Sequence, residues 1–208
     1  MNKINYQLQT DKIIDSLNGF VPKLLLHSCC APCSSYTLEY LSNYFEITVL
    51  YFNPNISPKA EFDKRFAEQK RLIDSLPAKH KITLIEGEYD YNDFLKIAKG
   101  YENVAEGGER CFRCYRMRLE KSAEIAKAKG FDYFCTTLSI SPLKNSQKIN
   151  EIGFDVGEKY GVKWLPSDFK KREGYKRSIE LSREYDLYRQ NFCGCVYSKA
   201  ERQAGQNE

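Results

Sequence analysis

The chain has 208 residues, 42% of them hydrophobic and 29% charged, with a formal net charge of +4. A chain of this length hides about 70% of the surface that its unfolded form exposes, so no disulfide staples are needed to hold a core together. No apolar run approaches the ~18 residues of a membrane helix, and the opening MNKINYQLQTDKI lacks the apolar centre of a signal peptide. These features point to a cytoplasmic protein with no membrane partner, expected to form a single domain over residues 1–208. The mild positive charge permits an anionic partner without arguing for one.

In chain order, Leu24 to His27 reads as the first strand, and the HSCCAPCSS segment at its end places Cys29, Cys30 and Cys33 within five residues. Successive strand side chains point to opposite faces, so adjacent cysteines can serve one site only where the chain turns. Pro32 and Cys33-Ser34-Ser35 supply a turn and a helix start. Ile47 to Phe52 reads as a second strand. Residues 58–76 read as a helix capped by Ser57, with Pro58 in first position and Phe62, Phe66, Leu72, Ile73 and Leu76 largely on one face. Ile82 to Ile85 is a third strand. A helix runs from about Cys111 to Lys129, with Gly130 as its stop. Next come a strand from Tyr133 to Thr137, a helix over 145–160, a strand from Val162 to Leu165 and a helix over 175–190. Residues from about Gln203 read as a frayed tail. The apolar runs are continuous, as in strands covered on both faces. Their alternation with helices predicts an α/β fold with a mostly parallel sheet flanked by helices. Ligands of such folds sit beyond the carboxyl ends of the strands, which is where Cys29 and Cys30 fall.

Eight cysteines in a reducing compartment read as metal or redox ligands before disulfides. Three groups stand out: Cys29, Cys30 and Cys33; Cys111 and Cys114; Cys193 and Cys195. Cys135 sits mid-strand and reads as a small buried hydrophobe. Cys111 and Cys114, at i and i+3, share a helix face and are placed in its first turn, where free N–H groups favour thiolate. Gly107 and Gly108 let the backbone approach closely just before them, and Arg110, Arg113, Arg116 and Arg118 surround the same stretch. Two distant thiol pairs can build a four-cysteine site for zinc or for an iron–sulfur cluster. The CC…CxxC spacing differs from that of a zinc ribbon and tilts the reading toward a cluster. Cys193 and Cys195 are left as a strained redox pair or as ligands of another metal. His80 reads as a solvated loop residue. His27 reads as a satisfied core histidine or as a support for metal ligands.

The segments LLLHSCCAPCSSY, GGERCFRCYRMRLEKSA, TTLSISPLKN and YRQNFCGCVYS resemble, in order and spacing, the signature segments of epoxyqueuosine reductases of the QueH type, over about residues 22–199. The resemblance implies an HUP-like, Rossmann-type α/β fold related to the PP-loop proteins. It implies reduction of the epoxide of epoxyqueuosine at the wobble base of a tRNA, the last step of queuosine synthesis, with a [4Fe-4S] cluster. Carried over by motif, Cys29, Cys30, Cys111 and Cys114 are the expected cluster ligands, and Cys193 and Cys195 the expected redox pair. An additional mononuclear iron is also implied, near Cys33, Cys193 and Cys195 or at Cys30. The electron donor is not specified by any residue.

A tRNA partner needs a grip. FKKREGYKRS offers Lys170, Lys171, Arg172, Lys176 and Arg177, and Tyr175, Tyr185, Tyr188 and Phe192 are interleaved within it and in the residues just beyond it. Such a run can hold phosphates and stack on a loop base. Equally, Glu173, Glu180, Glu184 and Asp186 dilute it into a solvated face. Two other functions compete. An ATP-dependent tRNA-thiolating PP-loop enzyme would need a glycine-rich phosphate loop where HSCCAPCSS stands. A zinc-stabilised RNA-binding module would need no catalysis.

Overall fold

The computed structural model describes residues 4–205. Five parallel strands form one sheet: β1 (Lys23–His27), β2 (Glu46–Tyr51), β3 (Ile82–Glu86), β4 (Tyr133–Thr136) and β5 (Lys163–Trp164), in the order β3-β2-β1-β4-β5. Helices α1 (Tyr6–Ser16), α2 (Ala31–Leu41), α3 (Lys59–Ser75), α4 (Tyr91–Ala98), α5 (Glu109–Ala128), α6 (Ser146–Tyr160), α7 (Gly174–Glu184) and α8 (Val196–Ala204) surround it. The expected α/β class and all five strands are present. β1 lies at the centre because its Leu24, Leu25 and Leu26 are fully buried, as a strand flanked on both sides and both faces requires. Its register pairs Leu26 with Val49 of β2 and with Cys135 of β4.

The chain runs from β1 outward to β2 and β3, then returns to the other side of β1 to lay down β4. The connections therefore diverge between the carboxyl ends of β1 and β4, the place where such sheets open a crevice. α5 packs on β1 and β4 with α6 beside it, while α2 contacts α3 and α7. The segment after β1 and the short 3₁₀ turn Thr137–Ile140 after β4 thus form the two lips of that crevice.

Several boundaries differ from the sequence reading. Pro58 occupies the N-cap position of α3, without a side-chain cap from Ser57. α3 also buries Arg65 and Gln69 on the face shared by Phe62 and Leu72, two polar residues that an apolar pattern cannot anticipate. α7 ends at Glu184, short of the expected 190, and Asp186 takes a positive φ of 48°. That left-handed residue breaks the helix and releases residues 185–195 to cross the crevice. α8 continues through Ala204, so the expected tail is helical up to there; its last residues, 206–208, lie outside the described ones.

Candidate metal and redox centre

The first thiol group is built by the end of β1 and the start of α2. Cys30 is the N-cap of α2, and Pro32 fits the first turn, where its missing N–H costs nothing. The expected turn is therefore present, and it brings all three sulfurs together: Cys29, Cys30 and Cys33 lie within 4.8 Å of one another. Gln69 of α3 locks the turn, its Oε1 accepting from Ser28 Oγ at 2.8 Å and from Ser34 Oγ at 2.9 Å. Asn53 Nδ2 donates to Ser28 O at 2.8 Å. Cys29 donates to Cys30 across 3.9 Å. Hydrogen bonds from Cys29 and Cys33, aided by Arg65, hold Cys30 well below the ordinary thiol range despite burial. Cys33, as a donor in the same trio, is pushed well above it.

The second group joins α5 to the segment before α8. Cys111 and Cys114 share the inner face of α5, with Tyr115 and Arg118 continuing the same stripe. Gly107, at φ +92°, donates its N–H to Cys111 Sγ at 3.3 Å, which is the close approach expected of that glycine. The expected thiolate preference fails, however. Cys114 lies a turn deeper than the helix start, and burial pushes it up to about 11. Cys111 is also raised, because burial outweighs the Gly107 N–H and the nearby Lys144.

A buried polar chain fixes Cys193 and Cys195. Lys144 Nζ donates to Cys193 Sγ at 3.1 Å and to Glu106 Oε1 at 3.3 Å. Glu106 Oε2 accepts from Ser198 Oγ at 2.9 Å, and Ser198 Oγ accepts from Cys193 N at 3.1 Å. Cys195 Sγ accepts from Ser198 N as the N-cap of α8, at 3.4 Å. Burial alone would lower the Lys144 pKa, but Cys193, Tyr115 and Glu106 around it hold it well above the ordinary value. Between the two cysteines, Gly194 sits at φ +121°, and a Cβ there would stand 2.8 Å from Ile56. Only glycine fits that position.

Two buried guanidiniums connect the groups. Arg65, 1% exposed, donates to Cys193 O at 3.1 Å and to Glu61 at 2.7 Å. Arg118, equally buried, donates to Cys114 O at 3.3 Å and Asn53 Oδ1 at 3.4 Å. Burial would lower the Arg118 pKa, yet Cys114, Cys193 and Cys29 hold it raised, which places it within electrostatic reach of both groups. Each arginine keeps one Nη2 buried without a hydrogen-bond partner among the described residues. A buried cation with no carboxylate partner among the described residues (Arg118), beside a second with a free Nη2 outside its pair with Glu61 (Arg65), matches an anionic centre. The thiol-rich donor set beside them therefore fits a negatively charged metal–thiolate group.

Cys29, Cys33 and Cys193 line one cavity of about 300 Å³, with apolar walls from Pro32, Leu138, Ile140 and Leu143. Cys111, Cys114, Cys193 and Cys195 line a second, much smaller one, and Glu106, Lys144 and Cys193 belong to both. Six of the eight cysteines thus line the two cavities, and Cys30 joins them through its closeness to Cys29 and Cys33. The eighth, Cys135, is fully buried in β4 and donates to Leu165 O at 3.2 Å, a core residue as expected. His27 is also a satisfied core residue: Nδ1 meets Thr136 Oγ1 at 2.9 Å and Nε2 meets Phe52 O at 3.1 Å. Burial lowers its pKa to about 3, so the ring is neutral.

Sequence reasoning missed Arg65, Gln69, Glu106 and Lys144. It named Arg118 only as one of four arginines. The signal for Arg118 was its place four residues after Cys114, on the same helix face. Arg113 and Arg116 pair instead with the surface carboxylates of Glu109 and Asp155. Of the two readings of the basic run, its ion pairs favour the solvated face, because most of its charges are paired. Lys170 meets Asp168 at 2.6 Å, Lys176 meets Glu173 at 3.0 Å, Arg172 meets Asp11, and Arg177 grips Glu39 with two nitrogens.

Fold and site together define an α/β protein with a buried thiol-rich centre at the switch point of a parallel sheet. The family model for epoxyqueuosine reductase QueH matches residues 24–201, and the chain belongs to that family. The epoxyqueuosine reductase QueH of Staphylococcus epidermidis is 48% identical over 202 residues, covering 94% of this chain and 85% of that one. The Thermotoga maritima relative of the same name is 37% identical over 185 residues, covering 86% and 91%. Among solved structures, the U34-tRNA thiolase NcsA from Methanococcus maripaludis with its [4Fe-4S] cluster is similar at a TM-score of 0.49 and 13% identity, over 96% of this chain and 73% of that one.

Proposed function

We propose that this chain removes the epoxide oxygen of epoxyqueuosine at the wobble position of a tRNA, giving queuosine. The observation that carries the reading is that six cysteines line two adjoining cavities, with Cys30 beside Cys29 and Cys33, in a chain of this family. Cys29, Cys30, Cys111 and Cys114 would hold a [4Fe-4S] cluster, and Cys193 and Cys195 would serve either as a redox dithiol or, with Cys33, as ligands of an additional iron. Such a centre supplies electrons singly and iron as a Lewis acid for the departing oxygen.

The chain's own residues supply the remaining requirements. Loss of the oxygen as water leaves a carbon–carbon double bond and consumes two electrons and two protons. As a dithiol, in place of an iron site, Cys193 and Cys195 would carry that complement and release it on forming a disulfide. An i, i+2 disulfide is strained and hence readily reduced again by an external electron donor. Lys144, Glu106 and Ser198 hold the pair at the junction of the two cavities. Arg65 and Arg118 would offset the negative charge of metal-bound thiolates. The apolar cavity walls limit water around the reacting carbon atoms. No helix among the described residues is long and apolar enough to cross a membrane, in keeping with a cytoplasmic enzyme that meets tRNA.

Anaerobic purification tests the reading. The protein should be brown, with iron and acid-labile sulfide in cluster proportion, and should convert tRNA-bound epoxyqueuosine when given a reductant. Colourless protein with stoichiometric zinc would overturn it.

A further inference from the structure

A reductase acting on tRNA requires a grip on RNA, and this inference rests on that proposed function. The basic run is a poor candidate. Of its five cations only Lys171 has no carboxylate partner among the described residues. The rim of the 300 Å³ cavity is different. Arg189 and Arg202 both line it, and both are exposed. Arg189 donates to Ser182 Oγ at 3.0 Å and to Ser178 O at 3.5 Å, two neutral acceptors. Arg202 makes no hydrogen bond or ion pair among the described residues. Two guanidiniums without counter-charges therefore face solvent at the one large opening, among the described residues, that leads to the thiols.

The same lining carries aromatic rings. Tyr175 is exposed, and Phe192 is half-buried with the Arg65 guanidinium 5.1 Å from its centroid. The same cavity is lined by the buried Leu138, Ile140 and Cys29 and by Cys33 and Cys193. The one lining thus combines cations, aromatic rings, apolar side chains and thiols. A nucleotide turned out of an RNA loop presents the matching chemistries: phosphates, a flat base and a reacting substituent. The volume lies at the lower end of the range for small-ligand sites, about 300–1,000 Å³, suiting one nucleobase and not a paired one. A splayed loop base presents its faces to aromatic rings, and its flanking phosphates to cations.

We propose that Arg189 and Arg202 take the phosphates flanking a single loop nucleotide whose base enters this cavity between Tyr175 and Phe192. The test is a binding titration with an unmodified anticodon stem-loop RNA as probe, over a range of salt concentrations. Arg189→Ala/Arg202→Ala should weaken binding and reduce the log–log salt slope by about 1.4, two single-strand phosphate contacts. Arg189→Lys/Arg202→Lys should keep the slope. Lys12→Ala/Lys70→Ala, which removes equal charge elsewhere, should also keep it. Should the double alanine variant fold poorly, Arg202→Ala alone, on an exposed helix face, should still lower the slope by about 0.7. A stem-loop abasic at the wobble position should bind more weakly with the same slope. An unchanged slope in the alanine variants, an equal loss in the Lys12/Lys70 control, or an abasic probe of undiminished affinity overturns the proposal. If the wild type reduces tRNA while the slope stays unchanged in the rim variant, the rim alone is wrong. If it grips RNA by the rim but leaves the epoxide intact, the reading of function is wrong and the rim contact stands.

Discussion

The two thiol groups are built in opposite ways. Cys29, Cys30 and Cys33 come from five consecutive residues, and one turn between strand and helix is enough to gather them. The second group draws on the start of α5 and the segment before α8, far apart in the chain, and a buried chain of Lys144, Glu106 and Ser198 anchors its C-terminal pair. A locally gathered group is a rigid holder. A group bridged by an ammonium and a carboxylate can tolerate a change in the bonding of its sulfurs, because its position does not depend on them alone. The difference suits a division into ligands and redox thiols, with α5 contributing to the first task and residues 193–195 to the second.

That division can be broken most forcefully at the ligands. Cys111→Ser or Cys114→Ser should lose most of the bound iron, measured with acid-labile sulfide, whereas Cys135→Ser should keep it. Full loading in both ligand variants would remove α5 from the holder. Next in size, Cys193→Ser and Cys195→Ser should each abolish turnover while the iron–sulfur absorption band persists. Iron loss in either would place the pair among the ligands instead. His27→Leu sharpens the comparison from the core side. It strands Phe52 O and the Thr136 hydroxyl, so urea unfolding should show a loss of about 1–3 kcal/mol, with iron content unchanged. A fall in iron would make His27 a support of the neighbouring cysteines. The smallest effect is expected from the paired basic run. Lys170→Ala/Lys171→Ala/Arg172→Ala should alter the salt slope of RNA binding by less than the ~0.7 of a single contact. A larger change would return the grip to that run.

The sequence was most legible where structure is local. Continuous apolar runs located the strands of the parallel sheet, and the CCAPC turn was readable from Pro32 and the serines after it. Cys135 was recognisable as core from its place inside such a run. What escaped were residues whose partners are distant. Arg65 and Gln69 lie on an otherwise apolar stripe of α3, and only the fold reveals that they face Cys30, Ser28 and Ser34. Lys144 looks like a loop lysine in the sequence, and only the turn after β4 carries it to Cys193. The thiolate expected at the start of α5 failed for a related reason. Helix position is visible in sequence, whereas the burial that outweighs it is tertiary. The basic run could be read either way because two of its counter-charges, Asp11 and Glu39, come from α1 and α2.

The most direct test is a product measurement. Anaerobic iron-loaded protein, a chemical reductant and tRNA carrying epoxyqueuosine are combined, and the tRNA is digested to nucleosides for mass analysis. The account predicts a nucleoside lighter by one oxygen atom and identical to queuosine, formed in proportion to enzyme and absent with Cys193→Ser. Unchanged epoxyqueuosine in the presence of fully loaded, reduced protein would contradict it.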